Sequence, residues 1–241
     1  MKKELDSLYK SIDQKGKAAI LKNQFTDPYL CQVKADSRRG LTLLARLPVH
    51  VGRNIGYAQQ KLRIANPNLY CYPLADLHLT VLDLIGARAD FSLAPADLAA
   101  YQNSIKELLA NCRPFSVTLQ GLIASPSGIL AAGYYSDELF ELREALRLKL
   151  AKELPLAERY QTASGHVTIA HFKAPLNDPN GLLFDLAKMD QLRFGSFVVK
   201  QVDLVIHDWY NHDVKVIVEF ALTALSSVSY THLTLPTILL V

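Results

Sequence analysis

A chain of 241 residues, half of them hydrophobic and a fifth charged, can bury a sizeable core as one domain or as two similar lobes. A net charge of +3 and a pI near 8.6 suit a phosphate-bearing ligand but not a protein that coats a polyanion. Three widely spaced cysteines (Cys31, Cys71, Cys112) suggest neither a disulfide framework nor a zinc knuckle and favour a reducing compartment. The start of the chain carries no apolar leader and no run reaches bilayer-spanning length, so the expectation is a soluble, cytoplasmic monomer with no membrane partner.

Leu5, Leu8, Tyr9, Ile12, Ala19 and Ile20 recur at helical spacing between lysines, which predicts an amphipathic helix over 2–22, with Gly16 a weak point in its middle. Asp27-Pro28 and Asp36-Ser37 mark an irregular connection, so 1–36 reads as an N-terminal helical extension packed on a body spanning 37–225. The body opens with a buried strand, Leu41 to Leu47, stopped by Pro48, and then a helix over 53–65 ended by Asn66-Pro67-Asn68. An aromatic stretch from Leu69 to Pro73 leads into a strand over 77–82. Ala94-Pro95 starts the next helix, which runs through Leu109.

The second half repeats the alternation. A strand from Phe115 to Gln120 turns at Ser125–Gly128 and returns over Ile129–Tyr135. Asp137 caps a helix to about Leu150, carried by Leu139, Leu142, Leu146 and Leu150. A strand over 165–172 and a helix over 180–189 precede two final strands, Phe197–Asp208 and Val214–Leu222, joined across a polar turn. The fold class expected is α+β, a bilobal duplicated strand-helix fold.

Two stretches concentrate the chemistry. His78-Leu79-Thr80-Val81 and His166-Val167-Thr168-Ile169 lie 88 residues apart, each in an apolar run of strand character. A strand has a side-chain period of two, so His and Thr at i and i+2 share a face while the aliphatic residues between them point into the core. Two such strands facing a central cleft would offer two imidazoles and two hydroxyls to one ligand. Imidazole can accept or donate a proton at neutral pH, and hydroxyls can donate to phosphoryl oxygens, so the set suits acid–base cleavage of a phosphodiester.

These motifs, with the strand Arg39-Gly40-Leu41-Thr42-Leu43-Leu44-Ala45-Arg46-Leu47, resemble the 2H phosphoesterase superfamily of 2′,5′ RNA ligase-like proteins and cyclic nucleotide phosphodiesterases. The resemblance organises residues from about 39 to 222. It implies a bilobal fold with both motifs on one cleft, no metal or other cofactor, and chemistry on 2′,3′-cyclic phosphates or 2′–5′ linkages of nucleotides or RNA ends. His78 and His166 would then be the catalytic imidazoles, and Thr80 and Thr168 the phosphate-binding hydroxyls. A non-catalytic nucleotide- or RNA-binding module of the same fold is the alternative, as are the ligase direction and a metal-dependent hydrolase.

Further candidates are weaker. Tyr72 and Tyr134, with Tyr135 and Trp209, are aromatic enough to stack on a base. Arg46, Arg159 and Lys173 are candidate phosphate contacts. His171 stands an odd number of positions from His166, so in a regular strand it faces away from the cleft. His207 and His212, with Asp208 and Asp213, read as a solvated polar turn rather than a metal site. The segment 226–241 differs in composition from the rest, resembles translated read-through, and is set aside as foreign. Its His232-Leu233-Thr234-Leu235 is a decoy third match.

Overall fold

The computed structural model describes residues 2–31, 36–158 and 161–223, with only the backbone for Cys31 and Glu153. The segment 226–241, with the third motif match, and Arg159 lie outside the described residues. In chain order the elements are α1 (Lys2–Lys22), α2 (Pro28–Cys31), β1 (Arg39–Arg46), α3 (Val49–Ala65), β2 (Leu69–Cys71), β3 (His78–Arg88), α4 (Pro95–Leu109) and β4 (Phe115–Ser125). The second half continues with β5 (Gly128–Tyr135), α5 (Asp137–Glu153), β6 (Val167–Phe172), α6 (Pro179–Lys188), β7 (Arg193–Val199), β8 (Gln201–Asp208) and β9 (Val214–Ala221). This is a mixed α+β chain.

The strands form two antiparallel sheets. One has the order β3-β1-β8-β9 and the other β2-β6-β5-β4-β7. Sequence halves and sheets do not coincide. Short β2, from the first half, pairs with β6, while the C-terminal β8–β9 hairpin joins β1 and β3. The strand expected over Phe197–Asp208 is accordingly two strands, β7 and β8, broken at Lys200, one in each sheet. An uninterrupted apolar run does not reveal a change of sheet.

The two motif strands lie in different sheets and share one irregularity. In β3, Leu43 pairs with Leu82 but Leu44 with Thr80, leaving Val81 as an extra residue. In β6, Ile129 pairs with Ala170 but Leu130 with Thr168, leaving Ile169 as the extra residue. A one-residue bulge reverses the facing of everything beyond it. Val81, Leu82, Ile169 and Ala170 are all buried in the core, while Asp83 and His171, three positions after the motif threonines, turn back to the threonine face. His171 therefore faces the cleft, contrary to the regular-strand expectation.

The main core fills the space between the sheets and helices α3–α6, with Leu41, Leu43, Leu79, Val117, Ile129 and Val167 fully buried. Helix α1 packs across β4 and β5. Gly16 allows this approach, because a Cβ there would come within 2.3 Å of the Ala124 carbonyl carbon. The residue that weakens the helix by propensity is the one that seats it. No helix among the described residues is long and apolar enough to cross a membrane.

Candidate active site

His78 opens β3, and its Nδ1 lies 2.8 Å from the Asp76 carbonyl oxygen. A carbonyl can only accept, so Nδ1 carries the proton and the neutral ring presents Nε2 as an acceptor. His166 stands immediately before β6, with Nδ1 2.6 Å from the Ser164 hydroxyl oxygen. That hydroxyl can donate or accept, so it can follow either protonation state of the ring. His78, Thr80, His166 and Thr168 all line one cavity of about 520 Å³, together with Asp83 and His171 from beyond the bulges.

Arg143 ties the two motif strands together. It projects from α5 and is 1% exposed. Its Nε donates to the Val81 carbonyl (2.8 Å), and its Nη2 donates to the carbonyls of Thr80 and Ser164 (2.9 Å each). The first two acceptors are the bulge of the first motif, and the third lies two residues before His166. Burying a cation is costly unless it is well hydrogen-bonded. Here those carbonyls compensate it, and the Tyr135 ring lies 5.1 Å from Cζ. Burial lowers the pKa of this guanidinium, but arginine starts so high that it stays charged. A fixed positive charge thus sits behind the site, and it acts on the His166 ring. Sequence reading missed Arg143, although its position four residues after Leu139 puts it on the leucine stripe of the helix, where a charge is out of place.

Both imidazoles are held neutral at pH 7. Burial lowers the His78 pKa from 6.5 to about 4, the Asp76 carbonyl opposing this and neighbouring His207 adding to it. Burial likewise lowers His166 to about 4, helped by neighbouring His78 and by the Arg143 guanidinium. An anion in the cavity would reverse these effects, since opposite charge favours imidazolium.

The β8–β9 turn is solvated only in part: His212 and Asp213 are exposed, but the residues before them are not. Tyr210, Asn211 and Asp208 are buried, and His207 is 8% exposed with its ring 6.2 Å from that of His78. Thr42 donates to Asp83 Oδ1 (2.9 Å), so its oxygen accepts from His207 Nε2 (2.9 Å). Asp208 Oδ1 accepts from the backbone amides of Tyr210 and His212, and Asn211 at φ 57° turns its Nδ2 to the Asp76 carbonyl. This local hydrogen bonding replaces the water a polar turn ordinarily keeps. His207 and His212 diverge, the latter binding the Asp76 carboxylate through Nδ1 at 3.0 Å, which raises the His212 pKa. Among the described residues no cluster of three or more His, Cys, Asp or Glu could hold a metal.

The aromatic candidates separate. Tyr72 reaches the cavity wall but is 4% exposed, its ring 5.7 Å from His171 and 5.5 Å from Tyr70. Tyr134 does not line the cavity. Its ring meets Tyr9 of α1 edge-on at 5.7 Å and its hydroxyl donates to Asp6 (2.9 Å), because α1 covers this part of the sheet. Trp209 lines the cavity, with the Arg38 guanidinium 4.4 Å from its ring centroid. Arg46 instead pairs with Asp203 at 3.2 Å, and neither it nor Lys173 lines the cavity.

Two antiparallel sheets, each sending a His-x-Thr strand into a shared cavity, define an α+β protein of the two-histidine type. The profile of the 2'-5' RNA ligase superfamily matches residues 53–209, and the chain belongs to that superfamily of 2H phosphoesterases. Its fold resembles the Thermus thermophilus protein TT0787 (TM-score 0.59, 21% identity, covering 76% of this chain and 97% of that one). It also resembles E. coli LigT in complex with 3'-AMP (TM-score 0.56, 15% identity, covering 78% of this chain and 99% of that one). No curated protein sequence matches the chain.

Proposed function

We propose that this protein is a phosphodiesterase that opens 2′,3′-cyclic phosphates, or cleaves 2′–5′ linkages, of nucleotides or RNA ends by two-histidine acid–base catalysis. The observation that carries this reading is that both imidazoles and both threonine hydroxyls line one cavity. LigT, a neighbour in fold, has been crystallised with 3'-AMP and with phosphate, ligands of the same chemical class.

The chemistry balances without any further group. Water attacks phosphorus as one imidazole takes its proton. The bond from phosphorus to the ribose oxygen breaks as the second imidazole, protonated beforehand, gives its proton to that oxygen. The threonine hydroxyls donate to the non-bridging oxygens, where negative charge grows. The Arg143 charge behind the strands favours both the anionic substrate and the transition state. Ligation is the same ring opening with a ribose hydroxyl attacking in place of water, and its reverse, attack by the neighbouring 3′-hydroxyl, cleaves a 2′–5′ linkage to a cyclic phosphate and a free 5′-hydroxyl. Because proton transfer rests on the two rings, activity is expected to survive excess chelator.

The test is a panel of 2′,3′-cyclic nucleotides and 2′–5′-linked oligonucleotides, incubated with chelator and resolved by product. His78→Ala and His166→Ala should each lower kcat by about 10³-fold or more, with the circular dichroism spectrum of the wild type. Wild-type turnover in either variant, or tight nucleotide binding without turnover by the unaltered protein, would overturn the assignment.

A further inference from the structure

Helix α1 lies outside the superfamily match, which begins at residue 53. Its N-terminal turns nevertheless rest on the face of the sheet that carries His166 and Thr168. Leu130 is the register partner of Thr168, and partners across an antiparallel pair share a face. Ala132 and Tyr134 follow at two-residue intervals on that same face. Leu5 and Tyr9 bury against Ala132, forming a small second core separate from the main one. The Tyr9 hydroxyl donates to the Gly133 carbonyl (2.6 Å) and accepts from the amides of Gly133 (3.1 Å) and Gly165 (3.0 Å). With a proton and both lone pairs in use, it locks α1 to the residue preceding His166.

Two further aliphatic side chains of α1 reach the cavity. Leu8 and Ile12, one helical turn apart, line the cavity beside Leu130; Ile12 also packs on the edge of the small core, and both side chains are only partly buried. The cavity thus has a polar centre of imidazoles and hydroxyls and an apolar flank built by the extension. A phosphate has nothing to gain from aliphatic side chains, whereas the flat apolar face of a base does. The volume of about 520 Å³ lies within the roughly 300–1,000 Å³ usual for a small organic ligand.

We infer that α1 builds a base-binding subsite, in which Leu8, Ile12 and Leu130 receive the nucleobase of a substrate whose phosphate lies between His78 and His166. The inference rests on the phosphodiesterase reading and names the part of the substrate that the motif residues do not touch. Truncating both side chains (Leu8→Ala with Ile12→Ala) in the full chain removes binding made equally in ground and transition states. KM for a nucleoside 2′,3′-cyclic monophosphate should rise about tenfold with kcat retained. KM for glycerol 1,2-cyclic phosphate, which has the cyclic ester but no base, should not move. A loss of stability raises the apparent KM for both substrates by the same factor, so the difference between them survives it. A second variant, Ile12→Trp, fills the flank and should depress kcat/KM for the nucleotide alone. Equal changes on both substrates, or none on either, overturn the subsite. Wild-type protein that turns over neither substrate overturns the phosphodiesterase reading itself, a distinct result.

Discussion

The two halves of the site use the same device in different surroundings. Each has His-x-Thr followed by a one-residue bulge, which returns a polar residue to the cleft three positions after the threonine. In the β3 half that residue is Asp83, held by Thr42, and the imidazole is oriented by a backbone carbonyl. In the β6 half it is His171, and the imidazole is oriented by the Ser164 hydroxyl. The His78 ring is thus set by the main chain, which no side-chain substitution removes, while the His166 ring depends on a replaceable hydroxyl. Arg143 bonds to both halves.

The comparison breaks most severely at Arg143. Arg143→Ala removes the guanidinium donors from two carbonyls of β3 and from that of Ser164 before β6, at about 1–3 kcal/mol for each buried group left unsatisfied. We expect a loss of about 3–5 kcal/mol in urea unfolding, and a fall in kcat that persists where the variant remains folded. Only the motif histidines themselves should cost more activity.

Asymmetry between the halves is tested next. Ser164→Ala removes the orienting partner of His166 and should lower kcat about tenfold to a hundredfold with little change in KM. Asp76→Ala keeps the carbonyl that orients His78 and should lower kcat less. Equal effects in single-turnover assays would show that the two rings are not held differently.

The pH dependence follows from both rings being pushed down to about 4. One ring must be protonated and the other neutral, so kcat/KM, which reports the free enzyme, should fall as pH rises above about 5. Bound phosphate raises the imidazole pKa, so the optimum for kcat should lie at higher pH than that for kcat/KM. Stability runs the other way. Between the ordinary value of 6.5 and about 4 the unfolded chain binds more protons than the folded one. The stabilisation is therefore full above 6.5 and is lost as pH falls through that window, which unfolding curves in acid would register. The smallest effect is predicted for Tyr134→Phe, which removes an exposed hydrogen bond to Asp6 remote from the cavity. Activity should not change, and stability should move by less than about 0.5 kcal/mol.

Much of this was legible in the residues alone. Alternation marked the strands, leucine spacing marked α5, and the paired His-x-Thr pattern located the cavity, because side-chain period and local propensity act over a few neighbouring positions. Bulges, by contrast, have no signature in an apolar run such as Val81-Leu82 or Ile169-Ala170. They arise from pairing with distant β1 and β5, and they alone turn His171 and Asp83 to the cleft. The change of sheet at Lys200, the burial of the His207–Asn211 turn, the removal of Tyr134 beneath α1 and the clamp made by Arg143 share that origin. Each depends on a partner far along the chain, and only tertiary packing decides which partner that is.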